Sequence, residues 1–421
     1  MRYFEVREPF KKLTELQLRV GRNIFWKFCA ECVSKLFISL WSIYLARKLG
    51  PKYFGILMYG QTLAQYLWIC SDFGIGNYGT VMIARDKENI SRTKSDLLTI
   101  RVFFAITVYM GLFCILLLRN GETFTTKIYL ILGVFIIANS FNIDWLFRGI
   151  ERIQFVAIGT AITSGLYLLC VVLSVNGPEH TITAAIFWPL AFFVGAVFLN
   201  WKAVRLGYSR IFSLPSKKWV IYIKEAKFFY LSVIFMMGLQ YLPVFMIGAI
   251  LSPYDVGMFY APFKLYTSLS TLAFVIIAGF FPTLADLSCG KTHLFNRSAS
   301  YLIKLLLIIG FVCSFIIVAF SKPCIVLLFG EKYLDSITVF RLFGILFPLF
   351  LLRQGYLQPL LAAKKAGYVS LVSSLGIGIL VVSIIFLVKK FGINGAVYSM
   401  ILSECSILLF HIFFRMRWRD L

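Results

Sequence analysis

The sequence predicts an all-α polytopic membrane protein of about 12 transmembrane helices, in two six-helix lobes related by a pseudo-two-fold axis along the membrane normal. Three observations predict it. Of the 421 residues, 60% are hydrophobic and 14% charged, whereas soluble domains carry roughly 25% charged residues. So little polar surface leaves an exterior that only lipid can solvate. Next, about twelve apolar runs each reach the roughly 20 residues needed to cross a hydrocarbon core. Finally, one short motif recurs 202 residues apart, at Leu49-Gly50-Pro51-Lys52-Tyr53-Phe54-Gly55 and Leu251-Ser252-Pro253-Tyr254-Asp255-Val256-Gly257. Both copies read L-x-P-x-x-x-G, and each follows the first span of its half. Six spans separate them, so the halves share one orientation, as in transporters built from parallel repeats.

The twelve runs fall at about 24–46, 54–78, 97–118, 128–147, 155–175, 182–201, 228–250, 257–281, 298–320, 338–361, 367–388 and 395–414. Lys and Arg orient them, because positive residues accumulate on the cytoplasmic side. With the N-terminus inside, and Lys27 and Arg101 counted with the segments they border, the inside segments hold 28 and the outside loops 9. An even number of spans returns the tail to the same side, so both termini are expected in the cytoplasm. The longest inside loop contains Pro215 and a basic run. It divides the chain into an N-terminal lobe (1–201), a linker (202–227) and a C-terminal lobe (228–421).

The net charge of +23 is therefore read as membrane topology, and no nucleic-acid partner is expected. The 9 Cys are scattered through apolar runs and His180, His293 and His411 lie far apart, which supports neither a disulfide framework nor a metal centre. No cofactor is expected. The first 22 residues lack an apolar core, unlike a cleaved signal peptide.

Ionisable side chains within spans are costly and mark function by default. Lys27, Glu31 and Lys35 step by four along the first span and share one face. Lys35 is deepest, about 16 Å in; its structural alternative is half of an ion pair with Glu31. Lys264, Arg353 and Glu404 are the other deep charges. Lys35, Lys264 and Arg353 are expected to line a basic cavity between the lobes. Glu31 and Glu404 are ion-pair or coupling residues. Lys27, Asp72, Asp144 and Arg148 are read as the cytoplasmic rim. A basic cavity suits an anion, and phosphate matches both Arg forks and Lys point charges. Gln61, Gln65, Tyr66, Trp68, Asn139 and Asn142 offer polar and aromatic contacts to sugars, or equally contacts between helices.

Six segments carry a resemblance: ARKLGPKYFGIL (46–57), SDFGIGNYGTVMIAR (71–85), DWLFRGIERIQFVAIGTAI (144–162), FFPTLADL (280–287), LLFGEKYLDSITVFRLF (327–343) and FGINGAVYSMILSE (391–404). In order and spacing the chain resembles the O-antigen and polysaccharide flippases of Wzx type, within the multidrug/oligosaccharidyl-lipid/polysaccharide exporter superfamily. The resemblance implies transfer of undecaprenyl-pyrophosphate-linked oligosaccharide between leaflets of the bacterial inner membrane by alternating access. It also implies membrane lipid, a polysaccharide polymerase and chain-length proteins as partners. It supplies no catalytic residues, so the site residues rest on depth and charge.

Two other readings compete. A cation-coupled drug exporter of the same fold favours buried carboxylates in the first half, where the first span holds more Lys than Glu. A membrane-embedded polymerase or glycosyltransferase needs a long extramembrane loop, and the longest outside loop spans only about 321–337.

Overall fold

The computed structural model describes residues 7–118, 123–288, 292–363 and 365–417, without the side chains before Cys32 and at some later helical positions. Its helices are α1 (Arg7–Asp72), α2 (Ile75–Arg85), α3 (Ile90–Leu118), α4 (Phe124–Ser140), α5 (Asp144–Gly149), α6 (Ile153–Ser174) and α7 (Thr181–Arg205), then α8 (Lys217–Ile250), α9 (Pro253–Leu287), α10 (Thr292–Ala319), α11 (Ser321–Phe329), α12 (Ser336–Ala362), α13 (Ala366–Phe391) and α14 (Ile393–Arg417). The described residues contain no strand. α1 holds two crossings, separated where Gly50 adopts φ 72° and ψ 170° ahead of Pro51. Gly reaches this conformation without a Cβ penalty, and Pro then restarts a helix that needs no amide donor there. With α3, α4, α6 to α10 and α12 to α14, the crossings number twelve.

The two halves repeat in burial as well as in sequence. Spans 3 to 6 have 28, 61, 28 and 44% of their apolar stretch buried, and spans 9 to 12 have 22, 61, 33 and 39%. The fourth span of each half is thus the lobe's core and the third its lipid-facing wall. On that wall Phe103, Ile115, Phe311 and Phe315 are all at least 60% exposed. In lipid such surface costs nothing, because the surroundings are equally apolar.

The lobes meet along α1 and α9. At the face opposite the chain ends, called here the far face, the two motif copies touch reciprocally. A methyl on Gly55 would overlap the Pro253 carbonyl, and one on Gly257 would overlap the Pro51 carbonyl. Arg47 donates from Nε to the Leu328 carbonyl at 2.8 Å and also to the Leu327 carbonyl. Tyr333 donates to the Ala46 carbonyl at 3.1 Å. The ring of Phe54 packs edge-on against Tyr260 and Tyr333.

At the terminal face, where α14 ends, the second span stops earlier than residue 78. Phe73 and Gly74 have φ of 49° and 76°, left-handed values that end a helix, and α2 begins afresh at Ile75. The chain joining the lobes is pinned to the N-terminal lobe. Lys94 Nζ donates to the Tyr208 carbonyl at 2.9 Å, the Ser213 amide to Thr99 Oγ1 at 3.0 Å, and Tyr78 to Glu225 at 2.8 Å. At the far face, the loop of 321–337 is itself ordered as α11 and a turn at Glu331–Tyr333.

Candidate functional site

The seam between α1 and α9 brings sequence-predicted residues together. Ser39 and Ser268 share a 3.1 Å hydrogen bond across it. Lys35 and Lys264 each lie four residues earlier on the same helix face, and because α1 and α9 run in opposite directions here, Lys35 sits one turn toward the terminal face from the serine pair and Lys264 one turn toward the far face. Both side chains are half-buried. Lys264 Nζ lies 5.6 Å from the Trp41 ring centroid and 5.8 Å from that of Tyr260. Ring faces attract a cation, more so where water is scarce. Trp41 is itself held edge-on by Tyr167 at 5.0 Å.

Arg353 is placed differently. It forms a buried ion pair with Glu404, between α12 and α14, and its guanidinium lies 5.5 Å from the Phe350 ring centroid. Tyr266 of α9 packs edge-on against Phe350 beside this pair, 6.2 Å between ring centroids. Two residues on a helix are about 200° apart, so Tyr266 and Lys264 point to opposite sides of α9. The seam thus holds Lys35 and Lys264, while Arg353 and Glu404 sit inside the C-terminal lobe. Lys27 and Glu31 lie on α1, but their side chains fall outside the described residues.

The rim residues form two contacts of different character. Asp72 pairs with Arg101 at 2.8 Å with little exposure, and Arg101 also donates to the Asn142 carbonyl. This ties the end of the second span to the third and to the turn before α5. Asp144 pairs with Arg148 at 2.8 Å along α5, one turn apart and partly in solvent. Gln61 and Asn139 are buried, and Trp68 packs edge-on against Phe135, so these three serve packing within the N-terminal lobe. Tyr66 instead packs against Tyr241 and Phe245 of α8, on the boundary between lobes.

Sequence reasoning missed Ser39, Ser268, Trp41 and Arg101. Their signal was weak, since serine and tryptophan in a span read as ordinary helix contacts. It also passed over His411, which is fully buried and whose ring nitrogens have no hydrogen-bond partner among the described residues. Among the described residues no group of three His, Cys, Asp or Glu is placed to hold a metal ion.

Comparison with known proteins bears on this arrangement. Residues 20–288 match the family described as "Polysaccharide biosynthesis protein". A protein of Shigella dysenteriae that carries the name of an O-antigen transporter is 23% identical over 268 residues, 63% of this chain and 67% of that one. Among solved structures, the lipid II flippase MurJ in an inward closed conformation superposes with a TM-score of 0.73 at 11% identity, covering 92% of this chain and 86% of that one. A multidrug resistance MATE family transporter in its inward-facing conformation gives 0.69 at 14% identity, covering 91% and 94%. At these identities the structures establish a shared two-lobe, twelve-helix fold.

Proposed function

The chain belongs to the polysaccharide biosynthesis protein family, and from that premise we propose that it is a flippase for undecaprenyl-pyrophosphate-linked O-antigen repeat units. It carries them from the cytoplasmic to the periplasmic leaflet of the bacterial inner membrane, with both termini cytoplasmic. It is a transporter and not an enzyme. One observation carries the reading: Lys35 and Lys264, on different helices, both lie on the seam between α1 and α9, one turn to either side of the Ser39–Ser268 contact. Holding two like charges together in a low-dielectric setting is unfavourable. A pyrophosphate bound between them turns that repulsion into attraction, and its charge-assisted hydrogen bonds are the strong kind.

In this reading the far face, closed by the motif contacts, is the periplasmic side, and the cargo enters from the terminal side, where it is made. Transfer needs those contacts to part and the terminal ends of the lobes to close. Arg353 is neutralised by Glu404 behind α9, which leaves the basic character of the seam to Lys35 and Lys264. Glu31 and Glu404 are the residues suited to couple an ion to this motion. The drug-exporter reading calls for a carboxylate where the seam presents lysines.

Substitution tests the proposal. Lys35→Ala, Lys264→Ala and Arg353→Ala are expected to block surface polysaccharide while the protein still reaches the membrane. Normal polysaccharide in the two lysine variants removes them as cargo contacts. Complementation of flippase-null strains that make different O-antigens then identifies the sugar.

A further inference from the structure

A groove of about 630 Å³ opens at the terminal face between the end of α9 and the start of α10, lined by Ile276, Phe280, Thr283, Leu284, Arg297 and Tyr301, among others. Its floor is apolar, with the Phe280 and Tyr301 rings 6.0 Å apart. Its polar end is formed by Arg297 and Ser298. Arg297 is exposed and lies five residues into α10, at that helix's terminal-face end.

The groove lies on the same flank of α9 as the seam, nearer the terminal face. Gly279 follows Lys264 by fifteen residues on α9, which is roughly 60° around the helix and about 22 Å along it. Space is left at Gly279, where an added Cβ would meet nothing within 4 Å.

We propose that this groove is the loading site for the lipid part of the cargo. Arg297 and Ser298 donate to the phosphate oxygens at the membrane surface, and the polyprenyl chain lies along Ile276, Phe280, Leu284 and Tyr301. From there the headgroup passes to Lys35 and Lys264. The inference rests on the flippase reading for the identity of the lipid. Its observations are the basic end, the apolar floor and the flank of α9 that the groove shares with the seam.

The test uses the full chain in nanodiscs containing phosphatidylglycerol, with a benzophenone-bearing polyprenyl phosphate as probe. Photolysis is expected to label peptides around 276–284 and 297–301, and polyprenyl pyrophosphate to compete where added phosphatidylglycerol does not. Gly279→Leu fills the groove without meeting protein, and Arg297→Glu reverses its charge. Each is expected to cut labelling about tenfold, the equivalent of about 1.4 kcal/mol, with unfolding temperature unchanged. Labelling that persists in Gly279→Leu overturns the proposal. So does equal competition by phosphatidylglycerol, which would make the groove a site for bulk lipid. Loss of labelling in Gly279→Leu with normal surface polysaccharide overturns the loading role and leaves the flippase reading standing. Labelling of the groove in a wild-type chain that complements no flippase-null strain sinks the flippase reading and leaves the groove.

Discussion

Gly55 abuts the carbonyl of Pro253, and by the same geometry Gly257 abuts that of Pro51. The contact is backbone against backbone, so a single methyl at either glycine is enough to obstruct it. Gly55→Ala or Gly257→Ala is expected to disfavour closure of the far face by about 1–3 kcal/mol, the usual cost of overpacking. Cysteine pairing reports the state. In a Ser39→Cys/Ser268→Cys chain the 3.1 Å hydroxyl contact is expected to become a disulfide that stops transport until reduced. The glycine substitutions should slow its formation about tenfold or more.

Arg47 caps the last carbonyls of α11, at Leu327 and Leu328. Those groups have no partner inside the helix and carry its negative dipole end. Arg47→Ala should lower hydrogen-exchange protection in α11 and near Tyr333, with protection near α5 unchanged. Equal protection in variant and wild type would show that the cap adds nothing.

Glu404 compensates the buried charge of Arg353. Glu404→Gln leaves that cation uncompensated, and breaking a buried pair from one side costs about 3–5 kcal/mol. The double variant Arg353→Met/Glu404→Leu should recover most of the lost thermal stability in detergent. No recovery would place the cost in packing rather than charge.

Lys35 and Lys264 are like charges on one seam, so reversing one makes their interaction attractive. Lys35→Glu is expected to raise the unfolding temperature and to abolish surface polysaccharide. Stability and transport then move in opposite directions, as expected where a site is held strained for function. A variant that lost both would point to a structural lysine.

Asp72→Asn and Asp144→Asn separate the two rim contacts. The first breaks the little-exposed pair with Arg101 and should cost a few kcal/mol. The second removes a partly exposed pair within α5, worth about 0.5 kcal/mol or less. Chemical denaturation of the two variants in parallel decides between these magnitudes.

Much of the architecture was legible because lipid imposes a coarse rule: each crossing needs its own apolar run, and its ends gather charge. The Gly55 and Gly257 motif was visible as well, since a backbone break between spans leaves Gly and Pro at fixed spacing. The end of the second span was not. Residues 73–78 stay apolar after the helix stops, because the left-handed turn at Phe73 and Gly74 still packs against Tyr230 of α8. Nor was the partner of Arg353 fixed, because Glu404 lies 51 residues away and periodicity within one helix says nothing about pairing between helices. Lys35 and Lys264 were found by depth alone. That Ser39 and Ser268 join them on one seam depends on how α1 and α9 are rotated, a property of packing that no single span encodes.

The reciprocal glycine contact has a mechanical consequence. Two equivalent points of touch, related by one axis, cannot be released in turn without skewing the lobes against each other. The far face should accordingly behave as an all-or-none latch, with no stable half-open intermediate through which small ions would leak during each cycle.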